Sequence, residues 1–245
     1  MCFKKVKIYS GKTKDLLKVI PSPGNKNGKF ADGDRRYILH FKDNILGRNN
    51  IPDSGGNEIV GVARGKGVAS CALTAFFMGV FKKNGIPTHF IKKINRRDIL
   101  IRVADKIPIE FILRNYAYGS YLRRHPSVKP LSPFRRPVIE YTLKSDESDD
   151  PLMSLKETLR YVSRQELEEI KSIIRRINRL LLALCRPRGV MPADFKVEFG
   201  RVPFEGKKKS RVVLIDDFST DTARFFSLKD KRLLDYKDVL EKFVI

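Results

Sequence analysis

No apolar run in this chain of 245 residues reaches the ~18–20 residues needed to cross a bilayer, which argues against a membrane-spanning helix. The opening Met1-Cys2-Phe3-Lys4-Lys5 lacks the apolar core of a signal peptide. Cysteine is scarce: Cys2, Cys71 and Cys185 are odd in number and widely spaced, and form neither a zinc pattern nor a disulfide framework. The expected compartment is therefore a reducing cytoplasm, with all three thiols small buried or idle groups. Acidic residues are few beside basic ones, 28 against 50, for a formal net charge of +22. Such an excess selects anionic partners: nucleic acid, an anionic membrane or phosphorylated small molecules. Basic-helix, zinc-finger and RNA-binding aromatic signatures are missing, and the charges come mostly in scattered pairs such as Lys92-Lys93, Arg96-Arg97, Arg123-Arg124 and Arg135-Arg136. The run Lys207-Lys208-Lys209 falls in an expected hairpin turn. Internal repeats are absent. What is present, 42% apolar and 32% charged residues, suits one large soluble domain or two closely joined lobes with a sizeable core.

Short strands are expected at residues 5–9, 16–20 and 37–41, with a polar, Gly- and Pro-rich loop over 21–36. A helix is expected from Gly67, with Ala72, Leu73, Phe76, Phe77, Val80 and Phe81 at helical spacing and Asn84-Gly85 as its stop. Strands follow at 99–103 and 109–113, separated by a turn at Asp105-Lys106. Ser163 and Glu166 form a capping box for a long helix. Its Leu167, Ile170, Ile173, Ile174, Ile177, Leu181 and Leu184 make one apolar stripe before Pro187, and that stripe is core. The pattern is α+β, with an N-terminal β lobe and a mixed C-terminal lobe.

Two strand-like segments carry carboxylates. In the first, Phe195, Val197 and Phe199 alternate with Asp194, Lys196 and Glu198, so one face is apolar and the other charged. The second, an apolar run over 211–215, ends in Asp216-Asp217. A hairpin would bring Glu198 near Asp216, and two facing carboxylates without a cation would repel, so the pair is a candidate divalent-metal site. The same residues also suit a solvated strand face and an Asp-Asp turn cap. Among phosphate-binding candidates, Gly11-Lys12-Thr13 is no P-loop, because Val6 stands where the first glycine is required and a strand, not a helix, follows. Tyr9 to Lys14 remain as a glycine-containing hairpin tip with two lysines, able to fold over a triphosphate or to be a plain turn. Gly65-Lys66-Gly67 precedes a helix whose free N–H groups favour anions. Arg114 at a strand end, followed by Gly119-Ser120 in a tight turn, makes an anion cradle of a guanidinium fork and a hydroxyl. His40, His89 and His125 have no partner pattern for general-base work and are expected to be structural.

Taken in order, YSGKTK (9–14), GIPTHF (85–90), PIEFILRNYAYGS (108–120), LKSDESDDP (143–151), DFKVEFG (194–200) and LIDDFSTDTAR (214–224) resemble the SAICAR synthetase (phosphoribosylaminoimidazole-succinocarboxamide synthase) family along most of the chain. The resemblance implies an α+β, ATP-grasp-like two-lobed fold, with a β-rich ATP-binding lobe over 1–104 and a substrate and metal lobe over 105–245. It implies a cytoplasmic ATP-dependent ligase of de novo purine biosynthesis using ATP and Mg²⁺. Carboxyaminoimidazole ribonucleotide (CAIR) and L-aspartate would be joined through an acyl phosphate to give SAICAR, ADP and phosphate. In this family Gly11, Lys12 and Lys14 would sit on the ATP phosphates, Arg102 and Ala104 at the adenine-reading hinge, and Glu198 and Asp216 on the metal. Arg114, Ser120 and Arg224 would hold the ribonucleotide phosphate, Lys144 and Lys196 the reaction centre, and Asp150 a substrate-side loop. The implied partners are small molecules, with a homodimer as the candidate assembly, no membrane and no need for nucleic acid.

Departures from the family pattern are Gly47-Arg48 where Gly-Asn or Gly-Asp is usual, Asp217 for Glu, Thr220 for Pro, Phe226 for Trp, and the long 21–36 loop. The chain also ends at Ile245, short of the family's final helix. Two other readings compete: a basic nucleic-acid-binding protein on a nucleotide-binding fold, and a kinase-like phosphotransferase, which lacks a catalytic-loop signature.

Overall fold

The computed structural model describes residues 3–21, 36–53, 56, 58–144, 151–203 and 210–245. Its N-terminal elements are β1 (Phe3–Ser10), β2 (Lys14–Pro21), β3 (Arg36–Phe41), β4 (Asn44–Arg48), β5 (Ile51–Pro52), β6 (Glu58–Val62), α1 (Lys66–Lys83), β7 (Phe90–Lys93) and β8 (Asp98–Arg102). There follow β9 (Asp105–Tyr116), α2 (Ser120–Arg124), β10 (Pro133–Leu143), α3 (Leu155–Thr158), α4 (Arg164–Cys185), β11 (Val190–Pro203), β12 (Ser210–Ile215), β13 (Ala223–Ser227) and α5 (Tyr236–Phe243). One antiparallel sheet has the order β1-β2-β3-β8-β7, a second the order β10-β9-β11-β12 with β13 also on β11, and a small one the order β5-β4-β6. The chain leaves the first sheet at Arg102 and enters the second at Asp105, which makes the fold two-lobed.

The second sheet is apolar on one face because of strict alternation. Ile107, Ile109, Phe111 and Leu113 of β9 and Phe195, Val197 and Phe199 of β11 are all buried in one cluster with Leu167, Ile170, Ile173, Ile174, Ile177 and Leu181 of α4. Ser163 and Glu166 cap α4 reciprocally. The cap is worth about 1 kcal/mol, while each buried aliphatic side chain contributes roughly 1.5–3 kcal/mol, so packing rather than capping holds α4 in place. Helix α1 lies in sequence between strands of the first sheet, yet Leu73, Phe77, Met78 and Phe81 belong to this same core. Phe77 stacks on Phe225 at 5.9 Å and meets Phe218 edge-on at 5.2 Å. The helix thus ties the two lobes together. It stops at Asn84, with Gly85 in the left-handed region (φ 71°).

Two local expectations change. Asp105-Lys106 do not turn; they begin β9, paired with Arg201 and Gly200 of a longer β11, and the link between the two sheets is residues 103–104 instead. A side chain at 200 would stand 2.9 Å from the Cβ of Ala104, so glycine permits this close approach. Helix α5, capped by Asp235 and Asp238, was not anticipated. Residues 22–35 of the polar loop and Lys207-Lys208-Lys209 lie outside the described residues. Among those described, no helix is long and apolar enough to cross a membrane.

Candidate active site

The charged face of β11 is buried, not solvated. Asp194 and Glu198 are 4% and 2% exposed, and the strand register explains what surrounds them. Glu198 stands opposite Glu110 of β9 on one side and opposite Ile215 of β12 on the other, one residue before Asp216. Like charges directly opposite in a sheet repel, and lysines offset this. Lys144 Nζ lies 2.7 Å from Glu198 and 3.8 Å from Glu110, Lys196 Nζ 2.6 Å from Glu110, and Lys106 Nζ 2.5 Å from Glu198. From the first sheet, Lys14 donates to Asp217 and lies 2.8 Å from Asp216.

The electrostatics follow from this alternation. Burial and Asp216 both push the Glu198 carboxyl up, but Lys144, Lys106 and Lys196 outweigh them and its pKa is lowered. Burial likewise opposes ionisation of Asp216, and Lys14 and Lys144 hold its pKa below the usual range. Burial also works against the Lys14 ammonium, yet Asp216 and Asp217 leave its pKa raised. Lys196 is raised by Glu110 and Glu198 against the same burial. The cluster is charged and internally neutralised.

Asp216 adopts φ 66°, a left-handed conformation that non-glycine residues seldom take. Its carbonyl accepts a hydrogen bond from His89 Nε2 at 3.0 Å. His89 is buried, and burial pushes its pKa down to about 4, so the imidazole is neutral near pH 7.

A cavity of about 400 Å³ adjoins this cluster, with Lys196 and Glu110 in its wall. Asp194 faces Arg114 across β9 and Arg224 across β13, and both guanidiniums reach its Oδ2, at 2.7 and 2.8 Å. Arg114 is 1% exposed. Its Nε donates to Glu140, Nη1 to Asp194 and the Tyr118 carbonyl, and Nη2 to Ser120 Oγ. Of its five N–H groups, these bonds engage four. Arg224 also reaches Asp53 at 3.1 Å and lies over the Tyr118 ring, while its buried Nε makes no hydrogen bond. An orphaned buried donor costs about 1–3 kcal/mol, which an anion in the cavity would recover. Gly119 (φ 57°) lets Arg224 approach: a Cβ there would stand 2.4 Å from Nη1. Arg48, Arg123 and Arg124 complete a strongly cationic lining.

Of the remaining sequence candidates, Gly11 closes the β1–β2 tip by donating its N–H to the Lys14 carbonyl at 2.8 Å, and the Lys12 carbonyl accepts from Asn44 at 2.6 Å. Arg102 is exposed at the end of β8, and Ala104 packs on Val202, Val213 and Ile215. Lys14, Lys144, Lys196, Glu198 and Asp216 come together in one cluster; Arg114, Ser120 and Arg224 meet in the adjoining cavity. Asp150 lies outside the described residues. The amide of Gly67, at the start of α1, is taken by Asp43 at 2.8 Å, so that helix end holds an internal carboxylate. Sequence reasoning missed Glu110, Lys106 and the buried pair of Lys66 with Asp221, 2.5 Å apart. Only the position of Lys66 between two glycines hinted at its role.

Two carboxylates on neighbouring strands suit Mg²⁺, a hard cation commonly held by one or two protein acids with substrate phosphates and water filling the other positions. No group of three or more His, Cys, Asp or Glu side chains placed to hold a metal ion occurs among the described residues.

A two-lobed α+β fold with buried lysine–carboxylate pairs beside a cationic cavity defines a protein that binds multiply anionic small molecules and brings them together. Residues 7–244 match the family model for SAICAR synthetase. The phosphoribosylaminoimidazole-succinocarboxamide synthase of Roseobacter denitrificans is 35% identical over 238 residues, 96% of this chain and 85% of its own. The protein of that name from Pelagibacter ubique is 33% identical over 231 residues, 93% and 80% of the two chains. The crystal structure of the Ehrlichia chaffeensis synthase superposes with a TM-score of 0.82 at 30% identity, covering 97% of this chain and 98% of that one. A type-2 SAICAR synthetase in complex with ADP gives a TM-score of 0.80 at 27% identity, covering 96% and 97%. The chain belongs to the SAICAR synthetase family.

Proposed function

We propose that this chain joins L-aspartate to CAIR at the expense of ATP, giving SAICAR, ADP and phosphate. As a family member it is an ATP-dependent C–N ligase of purine biosynthesis. The observation that carries the residue-level reading is a chain of ion pairs in two parts, Lys14 with Asp216 and then Glu198, Lys144, Glu110 and Lys196, joined where Glu198 stands opposite Ile215, one residue before Asp216; it runs from the β1–β2 tip to the cavity. Its cations suit a triphosphate at one end and a carboxylate at the other.

Lys12 and Lys14 would hold the ATP phosphates, with Gly11 keeping the tip tight, and the adenine would rest by Arg102 and Ala104 against the Val202, Val213 and Ile215 cluster. Arg224, Ser120 and Arg114 would fix the ribonucleotide phosphate. Lys144 and Lys196 would align the substrate carboxylate with the γ-phosphate; transfer forms the acyl phosphate and releases ADP. The aspartate amine then attacks the acyl carbon, loses a proton and expels phosphate. Glu198 and Asp216 would hold Mg²⁺, which supplies charge neutralisation on the transferring phosphoryl group. Positioning and fixed charge do most of this work. We also place the lobe boundary at residue 104, with α1 as the joint, Asp150 in the substrate-side loop, a homodimer as the assembly, and the cytoplasm as the location, which suits the free buried thiols of Cys71 and Cys185.

An ADP-release assay with ATP, Mg²⁺, CAIR and L-aspartate, omitting each in turn, tests this. Turnover that needs all four is expected; ATP hydrolysis indifferent to aspartate would sink the ligase reading.

A further inference from the structure

Asp216 stands in an uncommon backbone conformation, φ 66°, and its carbonyl is held by a neighbouring segment. Residues 87–89 run beside β12: Leu214 N donates to the Pro87 carbonyl at 2.9 Å, and His89 N donates to the Leu214 carbonyl at 2.9 Å. Thr88 pairs with Leu214 as a parallel bridge. On its other side the His89 carbonyl accepts from Arg102 N at 2.8 Å, so the backbone of His89 is fixed between two sheets. From that position its imidazole Nε2 reaches the Asp216 carbonyl, the group whose direction is set by φ 66°.

We infer that His89 is a positioning residue: its hydrogen bond locks the 216–217 peptide so that the carboxylates on either side of it, Asp216 and Asp217, face Lys14. An L-residue in the left-handed region is strained by roughly 1–3 kcal/mol unless its surroundings enforce it. Without the donor, the peptide is free to return to negative φ. Asp216 then swings away from Lys14 and from the neighbourhood of Glu198. The inference rests on the proposed role of Asp216 at the nucleotide phosphates and their Mg²⁺.

The test compares His89→Leu, which keeps bulk but no donor, with His89→Gln, whose amide restores a donor at similar reach. ADP affinity is measured by calorimetry with and without Mg²⁺, alongside the melting temperature and the steady-state KM for ATP. Wild type is expected to bind ADP more tightly with Mg²⁺. His89→Leu should lose that gain by roughly tenfold or more, as outer-shell partners of metal ligands commonly do, with the Mg²⁺-free affinity kept, and His89→Gln should recover most of it. If Leu and Gln retain the full gain, or lose it equally in step with a fallen melting temperature, His89 is packing alone and the inference fails. If wild type shows no Mg²⁺-dependent gain, the metal role of Asp216 fails first and takes this role with it.

Discussion

Replacing Arg114 with alanine separates a structural guanidinium from a ligand-binding one. In the folded chain Arg114 makes ion pairs of 2.7 Å to both Glu140 and Asp194 and a 2.7 Å bond to Ser120 Oγ. Breaking a buried pair by removing one partner costs about 3–5 kcal/mol, because a charge is left uncompensated. Here each acid keeps a second arginine, Arg124 on Glu140 and Arg224 on Asp194, which lowers the figure. A loss of about 3 kcal/mol of unfolding free energy is expected. For a chain of this length that corresponds to a melting temperature lower by roughly 6–12 °C.

Urea unfolding of wild type, Arg114→Ala and Arg224→Ala measures the difference directly. Arg224→Ala should cost less, since its Nε already lacks a partner and Asp194 retains the more deeply buried Arg114. Its KM for the ribonucleotide should rise more than that of Arg114→Ala, while the KM for ATP stays near wild type in both. A stability loss below roughly 1 kcal/mol for Arg114→Ala, the range of exposed ion pairs, would refute the reasoning that its bonds are internal supports.

Gly119→Ala should raise the ribonucleotide KM and leave the ATP KM unchanged, because the new Cβ would lie 2.4 Å from Arg224 Nη1 at a φ of 57°; equal effects on both substrates in a kinetic assay would contradict this. Lys14→Met removes a cation that bonds Asp216 and Asp217, and ATP binding should weaken roughly ten- to hundredfold, the worth of a charged hydrogen bond, with little change in the aspartate KM. Glu166 is held at about 2 chiefly by its hydrogen bonds from Arg201, with burial opposing. Because this pKa is depressed, its contribution is complete above about pH 4.5 and disappears as pH falls toward 2. Wild type should therefore exceed Glu166→Gln by about 1–2 kcal/mol at pH 7 after allowance for solvent screening, and urea midpoints should converge only as pH falls to about 2.

Much of the scaffold was readable because its signals are local. The Ser163–Glu166 cap and the stripe of α4 lie within one helix, and the alternation of β9 and β11 lies within single strands. The site was less readable because its partners are remote. Asp194 meets Arg114 from 80 residues away and Arg224 from 30. A charged strand face looks the same in sequence whether water or arginines cover it, so the alternation left a solvated face open for Asp194 and did not single out Glu110. Asp105-Lys106 read as a turn by composition, and β11 overrode that preference by offering backbone partners at Arg201 and Gly200. The candidate roles of Lys144, Lys196 and Arg224 came from family resemblance, because spacing alone could not supply them.

The run of ion pairs also bears on why so basic a chain buries so many acids at its centre. Lysines aimed at anionic substrates would repel one another in the empty cleft, and Glu110, Glu198, Asp216 and Asp217 keep them charged and apart. Each lysine that turns to a substrate oxygen leaves a buried carboxylate behind, which is costly unless another cation takes its place. Substrate binding in such a site is an exchange of ion pairs, with little change in the number of buried charges. The interleaving of acids and lysines along β11 and at the end of β12 is then a requirement of the folded state before ligands arrive, and the acids of this face serve the lysines as much as any ligand.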